Sequence, residues 1–308
     1  MRDTFVKTLI NIAKNDRNVE LITGDLGFGV LKPFWEQVPD QFTNAGIAEQ
    51  NMTTVAAGMA LEGKTVFTYS IGNFPTLRCL EQIRNDCAYH NANVKIVCVG
   101  GGFVYGSLGM SHHATEDLAI MRALPDVVVM APGDITEAVE ATKAIANYYG
   151  TCYLRLGRGG ERKIHDHIDN FEIGKAIKVQ DGKKVAIFST GAIFEEVYEA
   201  NLLLKEKGYI PEIYTFPTVK PIDSEIIKSC ASRFDLIVTC EEHNIVGGFG
   251  SAVSEVIAEI DGVKASLLRI GIEDKYATLV GNQKYLRKIY GISAKDISNK
   301  ILSRLKNA

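Results

Sequence analysis

Three stretches of this chain hold residue types that can do chemistry. In GIAEQNM, residues 46–52, a glycine turn leads into an apolar helical pattern with Glu49 in its first turn. A carboxylate there can simply complement the helix dipole, or it can exchange a proton or hold a ligand nitrogen. In GMSHHATEDL, residues 109–118, His112 and His113 stand side by side, the one side-chain type that titrates near neutral pH. In YLRLGRGG, residues 153–160, Arg158 offers a planar fork suited to two oxygens of one anion. A further pair, His165 and His167, has an HxH spacing but no companion cysteine or carboxylate set, so it reads as loop. GGFG at 247–250 is a weak nucleotide signal, and a turn feeding a helix explains it without a ligand.

The elements that must position these residues alternate in type. The runs VELITGD, KTVFTYS, VKIVCVG, DVVVMAP and TCYLRL are short and β-branched, with longer helical patterns such as PTLRCLEQIRNDCAYH between them. That alternation predicts parallel strands with crossover helices. The polar segment GRGGERKIHDHIDN, residues 157–170, interrupts the rhythm and predicts a linker. The rhythm resumes through KKVAIFSTG, PEIYTFP, DLIVTCEE and KASLLRI and closes on the helical pattern ISAKDISNKILSRLKN. The expected fold is α/β, with two consecutive domains over 1–165 and 166–308, each a mostly parallel sheet flanked by helices.

Composition excludes several function classes. The 308 residues are 46% hydrophobic and 23% charged with a formal net charge of −3, so no large basic field points to nucleic acid or an acidic membrane surface. The N-terminal stretch alternates apolar and charged residues and lacks a signal-peptide core, and no apolar run reaches a membrane-spanning length. Six cysteines never form a CxxC pair and sit mostly in apolar runs, which predicts buried free thiols in a reducing cytoplasm.

Several segments together carry a family resemblance. GIAEQNM resembles the GIREHAM-type motif of transketolases and deoxyxylulose-phosphate synthases. FTYSIGNFPTLRCLEQIRNDCAY, residues 67–89, follows that superfamily's strand-loop-helix segment without a gap as far as QIRN. GMSHHATEDLAIMRALPDVVVMAPGD, residues 109–134, resembles its GPTHQ…DL…LR…P…V…PxD block, and TCEEHNIVGGFG its EEHxxxGG segment. The resemblance runs from Arg2 to the terminal helix and matches the C-terminal half of a transketolase.

The resemblance implies roles residue by residue. Glu49 bonds the aminopyrimidine ring nitrogen of thiamine diphosphate and favours the imino tautomer that generates the nucleophilic carbanion. Phe74 stacks on that ring, Ile71 replaces a commoner phenylalanine in the same loop, and Arg78 lies on the cofactor side. His112, with His113 beside it, faces the reacting carbon and substrate oxygens. Arg158, and in register Arg2, bind the sugar phosphate. Leu108 stands where many sugar transketolases carry Asp, and Gly100, Gly101 and Gly102 replace an upstream histidine. Those departures predict an apolar, unobstructed wall and a substrate other than the standard pentose phosphates.

One motif of the family is missing. Thiamine-diphosphate enzymes hold the diphosphate through Mg²⁺ with GDG and a later Asn segment, whereas this chain has only GDLGFG around Asp25. The expectation is therefore a split transketolase transferring a two-carbon ketol unit between sugar phosphates, with an N-terminal partner subunit carrying GDG and Mg²⁺ in an α2β2 assembly. The rivals are a split deoxyxylulose-phosphate-synthase-like acyloin former, a 2-oxoacid dehydrogenase β subunit and, remotely, a nucleotide-binding module without catalysis. No GxGxxG follows the first strand to support the last.

Overall fold

A computed structural model describes residues 1–306. Its first strands are β1 (Val19–Thr23), β2 (Phe42–Asn44), β3 (Thr65–Ile71), β4 (Val94–Val99), β5 (Val128–Met130) and β6 (Cys152–Leu156). They are followed by β7 (Ile177–Gln180), β8 (Val185–Thr190), β9 (Glu212–Thr215), β10 (Thr218–Lys220), β11 (Leu236–Asn244) and β12 (Ser266–Ile272). Seven of them form one sheet in the order β10-β5-β6-β4-β3-β1-β2, and five form a second in the order β12-β11-β8-β9-β7. Both sheets are parallel except at one edge each, where β10 runs antiparallel to β5 and β7 antiparallel to β9.

The strands read as unbroken apolar runs because both sheet faces are covered. Leu21, Phe67, Val97 and Leu154 face the helix Arg2–Asn15, whose Phe5 and Leu9 pack on them. The alternate positions Ile22, Val66 and Val94 face the other way, into a core shared with Phe188, Phe216 and Phe249 of the second sheet's layer. The two sheets therefore share one core. All six cysteines are buried and free, as their apolar surroundings predicted.

Two details differ from the sequence expectation. The short run Thr218–Lys220, although far beyond residue 165, returns to the edge of the first sheet. Three residues carry too little periodicity to be read as a strand. The helix expected after β3 is present as a short α turn at Leu80–Gln82, but it continues as a π-helical stretch over Ile83–Ala88.

A buried polar network ties the sheets together. Arg155 on β6 donates to Asp117 Oδ2 at 2.8 Å, to the Ala114 carbonyl at 2.7 Å and to the Glu242 carbonyl of β11 at 3.0 Å. Tyr153 donates its hydroxyl to the same Asp117 oxygen at 2.6 Å. Across the junction, the Glu242 carboxylate accepts from the Phe103 amide at 2.9 Å and from Arg287 at 2.7 Å. Arg155 and Asp117 are both buried, so removing one strands the other's charge. Arg155→Leu is expected to cost about 3–5 kcal/mol, and Arg155→Leu with Asp117→Asn should recover part of it. Thermal unfolding of the two variants checks this. An unchanged midpoint for Arg155→Leu would contradict it.

Candidate active site

The site is assembled at the carboxyl ends of β1, β2, β3, β4 and β6, where an open parallel sheet presents its loops and its ligand crevice. Beyond β2, Gly46 adopts φ +75 and turns the chain into the helix Glu49–Leu61. Glu49 opens that helix and is 4% exposed. Its Oε2 accepts from Arg78 at 2.7 Å, while its Oε1 takes no hydrogen bond among the described residues. A Cβ on Gly24 would stand 3.3 Å from the Glu49 side chain, so the end of β1 walls the carboxylate closely.

The loop after β3 supplies the next side chains. The Arg78 guanidinium lies 4.7 Å above the centroid of the Phe74 ring, a cation–π contact that keeps the positive charge over the aromatic face. Gly72 has φ +49 and passes beneath the His112 carbonyl, where a Cβ would come within 3.2 Å. Asn73 donates to the His113 carbonyl at 2.6 Å. Backbone and amide thus hold this loop against the one that carries the histidines. Ile71 ends β3 half-buried opposite Val99.

The loop from Gly100 to Ala114, beyond β4, is closed at its base. Gly102 and Ala114 exchange hydrogen bonds of 2.7 and 3.1 Å, and Arg155 holds the Ala114 carbonyl from below. At its tip His112 stands edge-on to Phe74, with ring centroids 5.2 Å apart, and its Nδ1 is 3.0 Å from the Ser111 hydroxyl. Tyr105 lies 6.5 Å from His112, and the Arg158 guanidinium is 5.4 Å from the Tyr105 ring. Arg2 pairs with Asp3 at 2.9 Å. Burial alone would lower its pKa, but Asp3, with Tyr69 and Tyr105 adding to it, holds it raised. Glu49, Arg78, Phe74, His112, Tyr105 and Arg158 therefore form one continuous rim, acidic at one end and cationic at the other. An accessible acceptor oxygen on an otherwise buried carboxylate, whose Arg78 partner lies over the Phe74 face, suits a planar heterocycle that donates from a ring nitrogen, and the exposed guanidinium suits an anion.

Three expectations need correction. Gly100, Gly101 and Gly102 do not leave an open wall: a Cβ at each would collide with Tyr105, Arg155 and Glu242 respectively. Leu108 is 55% exposed, so it does not build an enclosed apolar surface within this chain. His113 is buried and turned inward, edge-on to Phe103 at 5.3 Å with its Nε2 3.3 Å from the Gly106 carbonyl, because adjacent residues on this tight turn cannot share one face. It packs the loop and does not join the rim.

His165 is the fourth correction, since it does have carboxylate companions, supplied by residues remote in sequence. Asp134 caps the helix Ile135–Asn147, accepts from the Ile164 and His165 amides at 2.9 and 2.7 Å, and lies 3.2 Å from His165 Nδ1. Glu137 Oε1 is 3.5 Å from the same nitrogen, and its Oε2 accepts from the Gly133 amide at 2.6 Å. This buried trio clips the linker to the first sheet, and none of its hydrogen bonds reaches the rim. His167 is exposed, as a loop residue should be.

The glycine-led helix of the second sheet needs no ligand either. Glu241 accepts from the Phe249 and Gly250 amides at 2.7 and 2.8 Å and so satisfies the N-terminus of the helix Phe249–Ala258. Burial pushes its carboxyl up to about 7 against those two amide bonds.

Sequence comparison supplies the family for this geometry. The model of the transketolase pyrimidine-binding domain matches residues 1–162, and that of the transketolase C-terminal domain matches residues 174–297. The chain belongs to the transketolase family. It is 41% identical to a putative transketolase C-terminal section of Methanocaldococcus jannaschii, over 99% of this chain and 96% of that protein. It is 34% identical to one of the subunits of an apulose-4-phosphate transketolase of Phocaeicola vulgatus, over 99% of this chain and 97% of that one. A solved split-gene transketolase, described as an inactive β4 tetramer, matches with TM-score 0.88 and 32% identity over 99% of this chain and 97% of that one. The α/β fold with two mostly parallel sheets is the transketolase fold, and the enzyme class is that of transketolase-type transferases. Among the described residues no helix is long and apolar enough to cross a membrane.

Sequence reasoning missed Tyr105 and the Asp134–Glu137–His165 clip. A tyrosine between two glycine turns was the one sign of the first; nothing local announces the second. The clip carries a pH signature. Burial pushes Glu137 up to about 7, and although burial would lower His165, Asp134 and Glu137 hold it above its ordinary value. Both groups bind protons more tightly folded than unfolded, so their contribution is largest at low pH and is lost as pH rises, from about 4.5 to 7 for Glu137. Glu137→Gln is expected to flatten the fall in thermal midpoint between about pH 5 and 7. An identical pH slope in variant and wild type would contradict the assignment.

Proposed function

We propose that this chain is the pyrimidine-side subunit of a split, thiamine-diphosphate-dependent transketolase that moves a two-carbon ketol unit between sugar phosphates. The observation that carries it is Glu49: a buried carboxylate with one oxygen held by Arg78, which itself lies over the aromatic face of Phe74, and the other oxygen uncommitted. When bound, thiamine diphosphate supplies the nucleophilic carbon that carries the ketol unit. Glu49 would hold the aminopyrimidine nitrogen, Phe74 would pack on the ring with Ile71 behind it, and Arg78 would hold the Glu49 carboxylate in place through its 2.7 Å bond. His112 would bond substrate oxygens at the reacting end, and Arg158, with Arg2 nearby, would take the anionic end. Leu108 would meet substrate or partner from the exposed lip of the loop.

The metal belongs elsewhere in this reading. GDG is absent from these 308 residues, and the one group of three carboxylate and histidine side chains close enough to share an ion among the described residues, Asp134–Glu137–His165, serves the linker. Mg²⁺ and the diphosphate are assigned to an N-terminal partner subunit. Relatives covered almost end to end are themselves described as a section and a subunit, which supports a separate partner. An α2β2 assembly in the cytoplasm completes the proposal, with division of the chain near residue 165 between cofactor and C-terminal roles.

Calorimetry tests the shared site. The isolated chain is expected to bind thiamine diphosphate weakly with or without Mg²⁺, and the reconstituted complex tightly and only with Mg²⁺. Tight Mg²⁺-dependent binding by the isolated chain would contradict the proposal. In the complex, Arg158→Ala is expected to raise KM for anionic ketoses about tenfold or more, as loss of a charge-assisted pair does, with a smaller change in kcat. An unchanged KM would remove Arg158 from the site.

A further inference from the structure

Tyr105 was singled out by neither its sequence nor its neighbours in the chain, yet it occupies the middle of the rim. The Cδ2–Cε2 edge of its ring fills the space that a side chain on Gly100 would need. It stands 6.5 Å from the His112 ring and 5.4 Å from the Arg158 guanidinium. Its hydroxyl makes no hydrogen bond among the described residues, although the ring is half-buried. Among the other side chains of the loop, Leu108 and Met110 are exposed hydrocarbon, His113 points into the loop's interior, the Ser111 hydroxyl is paired with His112 Nδ1, and Ser107 is exposed. The phenol is thus an uncommitted donor and acceptor within reach of both the His112 ring and the Arg158 guanidinium.

We propose that Tyr105 is a specificity-determining residue that hydrogen-bonds a sugar hydroxyl lying between the carbonyl end at His112 and the anionic end at Arg158. The inference rests on the ketol-transfer reading above. It accounts for a polar substrate passing Leu108: the bond that Leu108 cannot make is supplied from the adjacent ring. The loop keeps Gly100 because any side chain there would displace that ring. Arg158 contributes charge, whereas Tyr105 contributes a directional bond, and the two are separable.

The reconstituted complex with thiamine diphosphate and Mg²⁺ is compared as wild type, Tyr105→Phe and Arg158→Ala. Titrations use fructose 6-phosphate, xylulose 5-phosphate and inorganic phosphate, and turnover is measured with the two ketoses. Tyr105→Phe keeps the ring on Gly100 and is expected to weaken binding of at least one ketose phosphate about fivefold to tenfold, the effect of one neutral hydrogen bond. Binding of inorganic phosphate should stay unchanged, and any rise in KM should exceed the fall in kcat. Arg158→Ala should weaken all three. Equal ketose binding by Tyr105→Phe and wild type would overturn the proposal, as would an equal loss for inorganic phosphate, which would make Tyr105 only a support for Arg158. Absence of ketol transfer by wild type, with the binding difference intact, would instead count against the ketol-transfer reading and leave the hydroxyl contact standing.

Discussion

The clamp between the second sheet and the loop of His112 is the constraint on which the site depends. A loop of this length at the end of a strand would ordinarily be mobile. Here its base is closed by paired bonds between Gly102 and Ala114, Arg155 lies beneath it, and Glu242 takes the Phe103 amide. Phe103 itself is buried in the second sheet's core with Ile193 and Leu286. The C-terminal layer therefore has a plain physical role: it fixes the height and tilt of the loop that presents His112 and Tyr105. The glycines at 100–102 follow from the same requirement, since the groups that hold the loop approach closer than a Cβ permits.

Charge placement follows from burial. Arg155 and Asp117 are desolvated and mutually satisfied, and Tyr153 donates to the same carboxylate, so the network is rigid and specific to one arrangement. On the rim, by contrast, Arg78 is about half exposed while Glu49 is buried, so the ion pair has one solvated partner. Such a pair can release or share its carboxylate at modest cost, which a cofactor-binding carboxylate must do. Arg158 is exposed and makes no ion pair among the described residues, leaving its fork available to an anion.

Much of this was legible in the sequence because the information was local. Glu49 follows a glycine turn into a helix, the apolar runs mark strands buried on both faces, and Arg158 follows such a strand directly. The family register favoured His112 of the pair His112 and His113 as the reacting side chain, but the contacts that turn His113 inward, with Phe103 and Gly106, could not be read from sequence. The return of Thr218–Lys220 to the first sheet and the meeting of His165 with Asp134 and Glu137 depend on contacts between segments remote in sequence. The filled space at Gly100, Gly101 and Gly102 was read as emptiness, since glycine marks a close approach as readily as a gap.

The central claim is that the free oxygen of Glu49 serves the cofactor's pyrimidine ring. In the reconstituted complex, the rate at which the acidic carbon-bound proton of bound thiamine diphosphate exchanges with deuterated water reports that role without any knowledge of the sugar substrate. Glu49→Gln keeps the shape of the side chain and is expected to slow this exchange by about 10²-fold or more, the scale of a lost acid–base function, with the cofactor still bound. Exchange at the wild-type rate in the saturated variant would reduce Glu49 to a carboxylate that stabilises its own helix.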